Sequence, residues 1–258
     1  MRHAVLLASL LLLPTLHAQP LRAPDGSART MVPGIAVPPI ANEPFSAIDH
    51  ITWTRPSVDG GTTVVYLVSN VARDSQGRVF QEVHRFGPQN ADPKTTLTES
   101  KATDPVHHIA IVCNYVTHVC VVSPFLPNTT PAQVRPVGPF DNGRRNLNRD
   151  SLGERTLDKL RVVGTRETIV INPGTIGNDR TVTSSREFWY SPDLQTNLAV
   201  TRQDANGGVQ ELHLDILSRG EPDPHVFSIP PGFATVGVSL RITPAKGVLP
   251  AHPSSPLP

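Results

Sequence analysis

The sequence predicts an all-β protein: a curved antiparallel sheet, or half-barrel meander, of about ten or eleven strands between disordered Pro-rich termini. Three observations carry this expectation. Short runs rich in Val, Ile, Thr and aromatic residues recur between Gly, Asn, Asp and Pro turn signals. The clearest run alternates: Leu212, Leu214 and Ile216 share one face while Glu211, His213 and Asp215 share the other, as in a sheet wet on one side. No segment shows convincing helical periodicity. Connections this short favour a meander over a Greek key, and accumulated twist must curl a sheet of so many strands.

The elements follow in order. Phe45 to Arg55 reads as a first strand, Asp59-Gly60-Gly61 as a hairpin turn, and Thr62 to Ser69 as the returning strand. Ser75-Gln76-Gly77 is a tight turn from which Arg78 to Phe86 pairs back. Ile109 to Asn114 and His118 to Ser123 form another hairpin. Residues 124–150 read as a Pro- and Arg-rich connector without periodic pattern. Leu152 to Leu157 and Leu160 to Ile171 flank an Asp158-Lys159 turn. After a loop from Asn172 to Asp179, Thr181 to Tyr190, Leu198 to Gln203 and Val209 to Leu217 complete the sheet. The β-domain is expected over residues 45–242.

The ends read differently. Met1-Arg2-His3 is a short basic start, Ala4 to Leu13 an apolar run, and Leu16-His17-Ala18 a cleavage context. Residues 1–18 are therefore expected to be a signal peptide cut after Ala18, giving a periplasmic or extracellular protein. The apolar run is shorter than the roughly 20 residues that span a membrane, so an integral membrane protein is not expected. Many of the 27 prolines crowd into residues 19–44 and 243–258, read as a disordered arm and a disordered tail. Without a helix to cover an apolar sheet face, the arm or the 124–150 connector would have to do so. A formal net charge of +1 argues against nucleic acid as a partner. Arg135, Arg144, Arg145 and Arg149 read as a solvated basic loop beside Asp141 and Asp150.

Cys113 and Cys120 flank a short turn, and a hairpin centred there sets them directly opposite each other. Opposed residues bring Cα atoms to about 4.5–5.5 Å, within the range a disulfide accepts. An exported chain with two cysteines favours that bond, whose loop gives about 2.5 kcal/mol in the chain-entropy model. The competing reading is a metal set of Cys113, His118 and Cys120 with His107 or His108 as fourth ligand. His213 and Asp215 share a face, which reads as a surface pair or, more sharply, as a carboxylate-supported base. No nucleophile motif, zinc-protease motif or phosphate loop is found: Gly174-Thr-Ile-Gly177 lacks the Lys-Ser/Thr ending. The sequence thus calls for no catalytic residue, no metal and no cofactor.

The run E-F-W-Y-S-P-D-L-Q from Glu187, the last alternating strand, and the exit E-P-D-P-H-V-F-S-I-P-P-G-F from Glu221 resemble in order the C-terminal end of periplasmic lipoprotein-sorting and lipoprotein-carrier proteins. That resemblance implies a curved sheet holding acyl chains. The stretches A-R-D-S-Q-G-R at 72–78, G-T-R at 164–166, I-G-N-D-R at 176–180, F-W-Y-S-P-D-L at 188–194 and E-P-D-P-H-V-F at 221–227 also resemble an uncharacterised family of secreted bacterial proteins, which implies no site. The function expected is non-enzymatic binding of an apolar ligand or lipidated partner, with Tyr66, Phe188 and Tyr190 as candidate contacts. The alternatives are an envelope interaction or sensor module without a small ligand and, further off, a hydrolase.

Overall fold

A computed structural model describes residues 34–57, 59–87, 96–127 and 134–237. The expected signal peptide, the first part of the arm and the 243–258 tail lie outside these residues.

Among the described residues thirteen strands form one sheet. They are β1 (Phe45–Pro56), β2 (Thr62–Arg73), β3 (Val79–His84), β4 (Leu97–Asp104), β5 (Ile109–Asn114), β6 (Val119–Pro124), β7 (Gly138–Phe140), β8 (Arg145–Leu157), β9 (Leu160–Ile171), β10 (Val182–Ser191), β11 (Thr196–Gln203), β12 (Val209–Ser218) and β13 (Ala234–Gly237). Their order is β13-β6-β5-β4-β3-β2-β1-β12-β11-β10-β9-β8-β7, so the sheet stays open, with β13 and β7 at its edges. Every neighbouring pair is antiparallel except β13 with β6. The all-β class is as expected, with more strands than the sequence showed. The additions are β4, β7 and β13, and β8 begins at Arg145, inside the expected connector. β4 reads L-T-E-S-K-A-T-D and offers no apolar alternation; its backbone is held by β3 on one side and β5 on the other.

Register sorts the side chains onto two faces. Ile51 lies opposite Leu67 and Leu212, Ala47 opposite Val71, and Val200 opposite both Leu212 and Phe188. These residues join Phe45, Leu198 and Leu214 in one buried cluster. The N-terminal segment covers this face. Ile35 is buried in the same cluster and its N–H donates to Asp49 Oδ2 at 2.7 Å. Fully buried Arg73 donates to the carbonyls of Glu43 (2.9 Å), Pro38 (3.0 Å) and Leu194 (2.7 Å). Thr196 Oγ1 donates to the Ala36 carbonyl at 3.2 Å. Residues 34–44, read from sequence as disordered arm, are here a cover that seals the core.

The other face is crossed by the chain after β12. A 3-10 turn at Pro224–Phe227, capped by Asp223 Oδ1 accepting the His225 N–H at 2.9 Å, docks on β3 and β4. Phe227 packs with Ala72 and Phe80, and the Arg78 guanidinium stacks on its ring at 4.6 Å. Phe233 meets the Tyr115 and His118 rings, both at 5.1 Å, before β13 joins β6. The two faces are therefore covered by different segments, residues 34–44 on one and this C-terminal strap on the other. On the β8–β9 side, Trp189 lies against Gly164, where a Cβ would stand 2.6 Å from the indole. Arg155 stacks on the same ring at 3.6 Å, so this aromatic is covered by its own sheet.

Cys113 and Cys120 are register partners, and their sulfurs are bonded at 2.03 Å with Cα atoms 4.0 Å apart. The metal reading fails, since both thiols are consumed and the His118 ring packs on Phe233. The bond is buried, at 2% and 0% exposure for its two residues. The Cys113→Ser/Cys120→Ser double variant is expected to lose about 2.5 kcal/mol and hence roughly 5–10 °C in Tm, read by circular dichroism. An unchanged Tm would show that the hairpin needs no staple.

Candidate functional site

Between the strap and the β1–β4 part of the sheet lies a cavity of about 490 Å³. Its apolar wall includes Ala72, Phe80 and Leu217 from the sheet, with Val226, Pro230 and Pro231 from the strap. Asn70, Glu82, Ser100, Tyr115, Asp223 and His225 supply its polar groups. Neighbouring strands place Asn70, Glu82 and Ser100 on one face: Glu82 pairs with Ser100, and Asn70 is one step from Val71, the partner of Gln81. Prolines fix φ along the strap, and Pro224 opens its 3-10 turn.

Glu82 is the ordered charge in this wall. Its Oε2 accepts from Asn70 N–H at 3.1 Å and Asn70 Nδ2 at 2.7 Å, and the His84 ring Nε2 lies 3.1 Å away. Burial alone would raise its carboxyl, but the bonds from His84 and Asn70 outweigh it and hold the group below the usual range. His84 is itself fixed by Thr96 Oγ1, 3.0 Å from Nδ1. The cavity can thus take an apolar body and offers an anionic acceptor to a neutral or cationic polar end. An anionic end would meet Glu82 and Asp223.

The three ligand contacts expected from sequence do not line this cavity and do not come together. Phe188 is 1% exposed inside the arm-covered core. Tyr190 shares that face two residues on. It is half-buried; burial raises its phenol, opposed by the Arg73 charge. Tyr66 points to the opposite face and exchanges backbone hydrogen bonds with Gly87, 3.2 Å each way. What sequence reasoning missed is the strap. Its signal was present: Val226 and Phe227 are apolar residues inside a proline-rich exit, where a solvated tail needs none.

The other sequence candidates resolve simply. The basic loop is paired: Arg144 and Arg145 meet Asp141, Arg149 meets Glu167 at 2.7 Å, and Arg135 stacks on Phe140. His213 and Asp215 are in contact at 2.9 Å on the face away from the arm-covered core. Among the described residues no helix is long and apolar enough to cross a membrane.

An open all-β sheet, covered on one face by residues 34–44 and on the other by the strap after β12, with a cavity beneath the strap, is the class that fold and site define. No family model matches the chain, and no curated protein does. Solved structures that it is similar to include an uncharacterized conserved protein from Thermus thermophilus, with 13% identity and a TM-score of 0.37, covering 74% of this chain and 90% of that one. A LolA superfamily protein from Nitrosomonas europaea has 12% identity and a TM-score of 0.27, covering 71% of this chain and 90% of that one. LprF from Mycobacterium bovis has 12% identity and a TM-score of 0.28, covering 70% of this chain and 90% of that one. These likenesses are distant and carry no site or activity across to this chain.

Proposed function

We propose that this chain is a non-enzymatic binding protein of the periplasm or the extracellular space that holds an apolar ligand, or the lipid part of a lipidated partner, beneath its C-terminal strap. The observation that carries the reading is the cavity itself. Its volume of about 490 Å³ falls within the roughly 300–1,000 Å³ of small-molecule sites, and it sets an apolar wall beside polar groups that can orient a ligand. The polar groups favour a ligand whose polar end is neutral or cationic. A hydrolytic reading lacks support there: Ser100 lines the cavity beside Glu82, but the nearby His84 is already engaged by Glu82 and Thr96.

The test uses a neutral apolar fluorophore, N-phenyl-1-naphthylamine, titrated into the purified full chain. Saturable binding is expected, with displacement by a monoacylglycerol. Val226→Trp fills the cavity from the strap side and is expected to weaken binding at least tenfold while leaving Tm within a few degrees. Val226 is half-buried, so the change does not burden the main core. A folded protein that takes up no probe, or a variant that binds as well as the parent, would overturn the reading. An interaction module without a small ligand would then lead.

A further inference from the structure

We propose that Asp158, His213 and Asp215 form a binding site for one divalent transition-metal ion, with Zn²⁺ the probe of choice. The three offer ligand atoms that all lie within 4.8 Å of one another. They come from elements far apart in sequence. His213 and Asp215 are two residues apart on β12 and so share a face, with Nε2 and Oδ1 2.9 Å apart. Asp158 arrives from the two-residue turn between β8 and β9, where Asp158 and Lys159 hold φ of 46° and 64°. Its Oδ2 accepts the Ile216 N–H at 3.0 Å, at a stretch of β12 beyond its last partner on β11, Ala199 with His213. That bond fixes the carboxylate and leaves its other oxygen for a ligand.

The ligand chemistry selects the ion. One imidazole and two carboxylates suit zinc and its neighbours, whereas calcium and magnesium prefer oxygen alone. Four-coordinate zinc has bonds of about 2.0–2.2 Å, which separates ligand atoms by roughly 3.4 Å. Groups between 2.9 and 4.8 Å apart reach that spacing by shifts on the order of 1 Å. His50, the cross-strand partner of His213, places Nε2 3.0 Å from Asp215 Oδ2. It is suited to hold the ligating carboxylate, as outer-shell partners do in metal sites. Two carboxylates brought this close repel each other, and the ion-pair partners of Asp215 among the described residues are His50 and His213, not lysine or arginine. A cation between Asp158 and Asp215 relieves that repulsion and ties the β8–β9 turn to the centre of the sheet.

The experiment is calorimetric titration of Zn²⁺ into the full chain free of any polyhistidine tag, with Tm followed alongside. One saturable equivalent and a raised Tm are expected. His213→Ala, Asp215→Asn and Asp158→Asn are each expected to weaken binding at least tenfold and abolish the Tm rise; His50→Ala weakens it less. His213 and Asp215 side chains are 38% and 47% exposed, so the metal-free variants are expected to keep the parent Tm within a few degrees. No saturable uptake up to millimolar zinc, or uptake unchanged in both His213→Ala and Asp215→Asn, would overturn the site. An equal Tm rise with magnesium would overturn the assignment to a transition metal.

Discussion

Replacing Arg73 by methionine is expected to destabilise the protein by about 3–5 kcal/mol, because three carbonyls lose one shared cationic donor and each unpaired buried acceptor costs about 1–3 kcal/mol. For a domain of this size that is a fall in Tm of roughly 10–15 °C. The guanidinium joins three segments: the Glu43 and Pro38 carbonyls of the arm, and the Leu194 carbonyl of the β10–β11 turn. Methionine fills much of the volume but leaves those acceptors without a donor, and an unpaired buried carbonyl costs more than the bond itself contributes. Burial lowers the Arg73 pKa to about 10, with nearby Glu43 opposing, so the group stays cationic at neutral pH. Arg73→Lys is expected to lose most of the same stability, because one ammonium cannot reproduce a planar fork aimed at three carbonyls. Thermal unfolding followed by circular dichroism reads both. Amide exchange at Ile35 separates loss of the arm from general loosening, and a Tm change under about 2 °C would show that the arm docks without Arg73.

What was legible in the sequence is what local chemistry determines. Asp158-Lys159, the Gly turns and the alternation of β12 marked hairpins because each turn needs special backbone angles and each strand has one wet face. Cys113 and Cys120 could be paired from the hairpin alone. β4 could not be seen, because it sits between two strands and packs few apolar side chains. The first half of β8, R-N-L-N-R-D-S, reads as loop for the same reason, though its backbone pairs with β9 throughout. The cavity was illegible for a different reason. It is made by residues from β2 and β3 meeting a segment more than a hundred positions later, and proline content alone cannot tell a tail from a strap. Phe188 and Tyr66 look alike in sequence, each an aromatic in an apolar run, yet register sends them to opposite faces.

The exchange of Asp49 for asparagine is expected to stabilise the protein at pH 8 and to do little near pH 4. Asp49 is fully buried under the arm; Oδ2 accepts the Ile35 N–H, and Oδ1 has no hydrogen-bond partner. Gly34 lies so close over the same carboxylate that a side chain there would collide with Asp49 Oδ2. Burial raises the carboxyl from 3.8 to about 7, against the lowering effects of the Ile35 N–H and the Arg202 charge. The folded state therefore binds this proton more tightly than the unfolded chain does. Stability from this group is full below pH 3.8, declines as the pH rises toward about 7, and is then lost. The whole excursion is about 4 kcal/mol, since each pH unit between the two values is worth about 1.4. Asparagine keeps the acceptor for Ile35 and removes the ionisation, so the variant's advantage over the parent is expected to grow across that window. Tm measured for both proteins from pH 4 to pH 8 reads this directly, with other titrations cancelling in the difference. A difference that does not change with pH would show that Asp49 ionises as freely in the folded chain as in the unfolded one. The charge that appears at neutral pH lies directly under Ile35. The arm would then be held most weakly where the Asp49 carboxylate is ionised, with Arg73 as the anchor that keeps it in place.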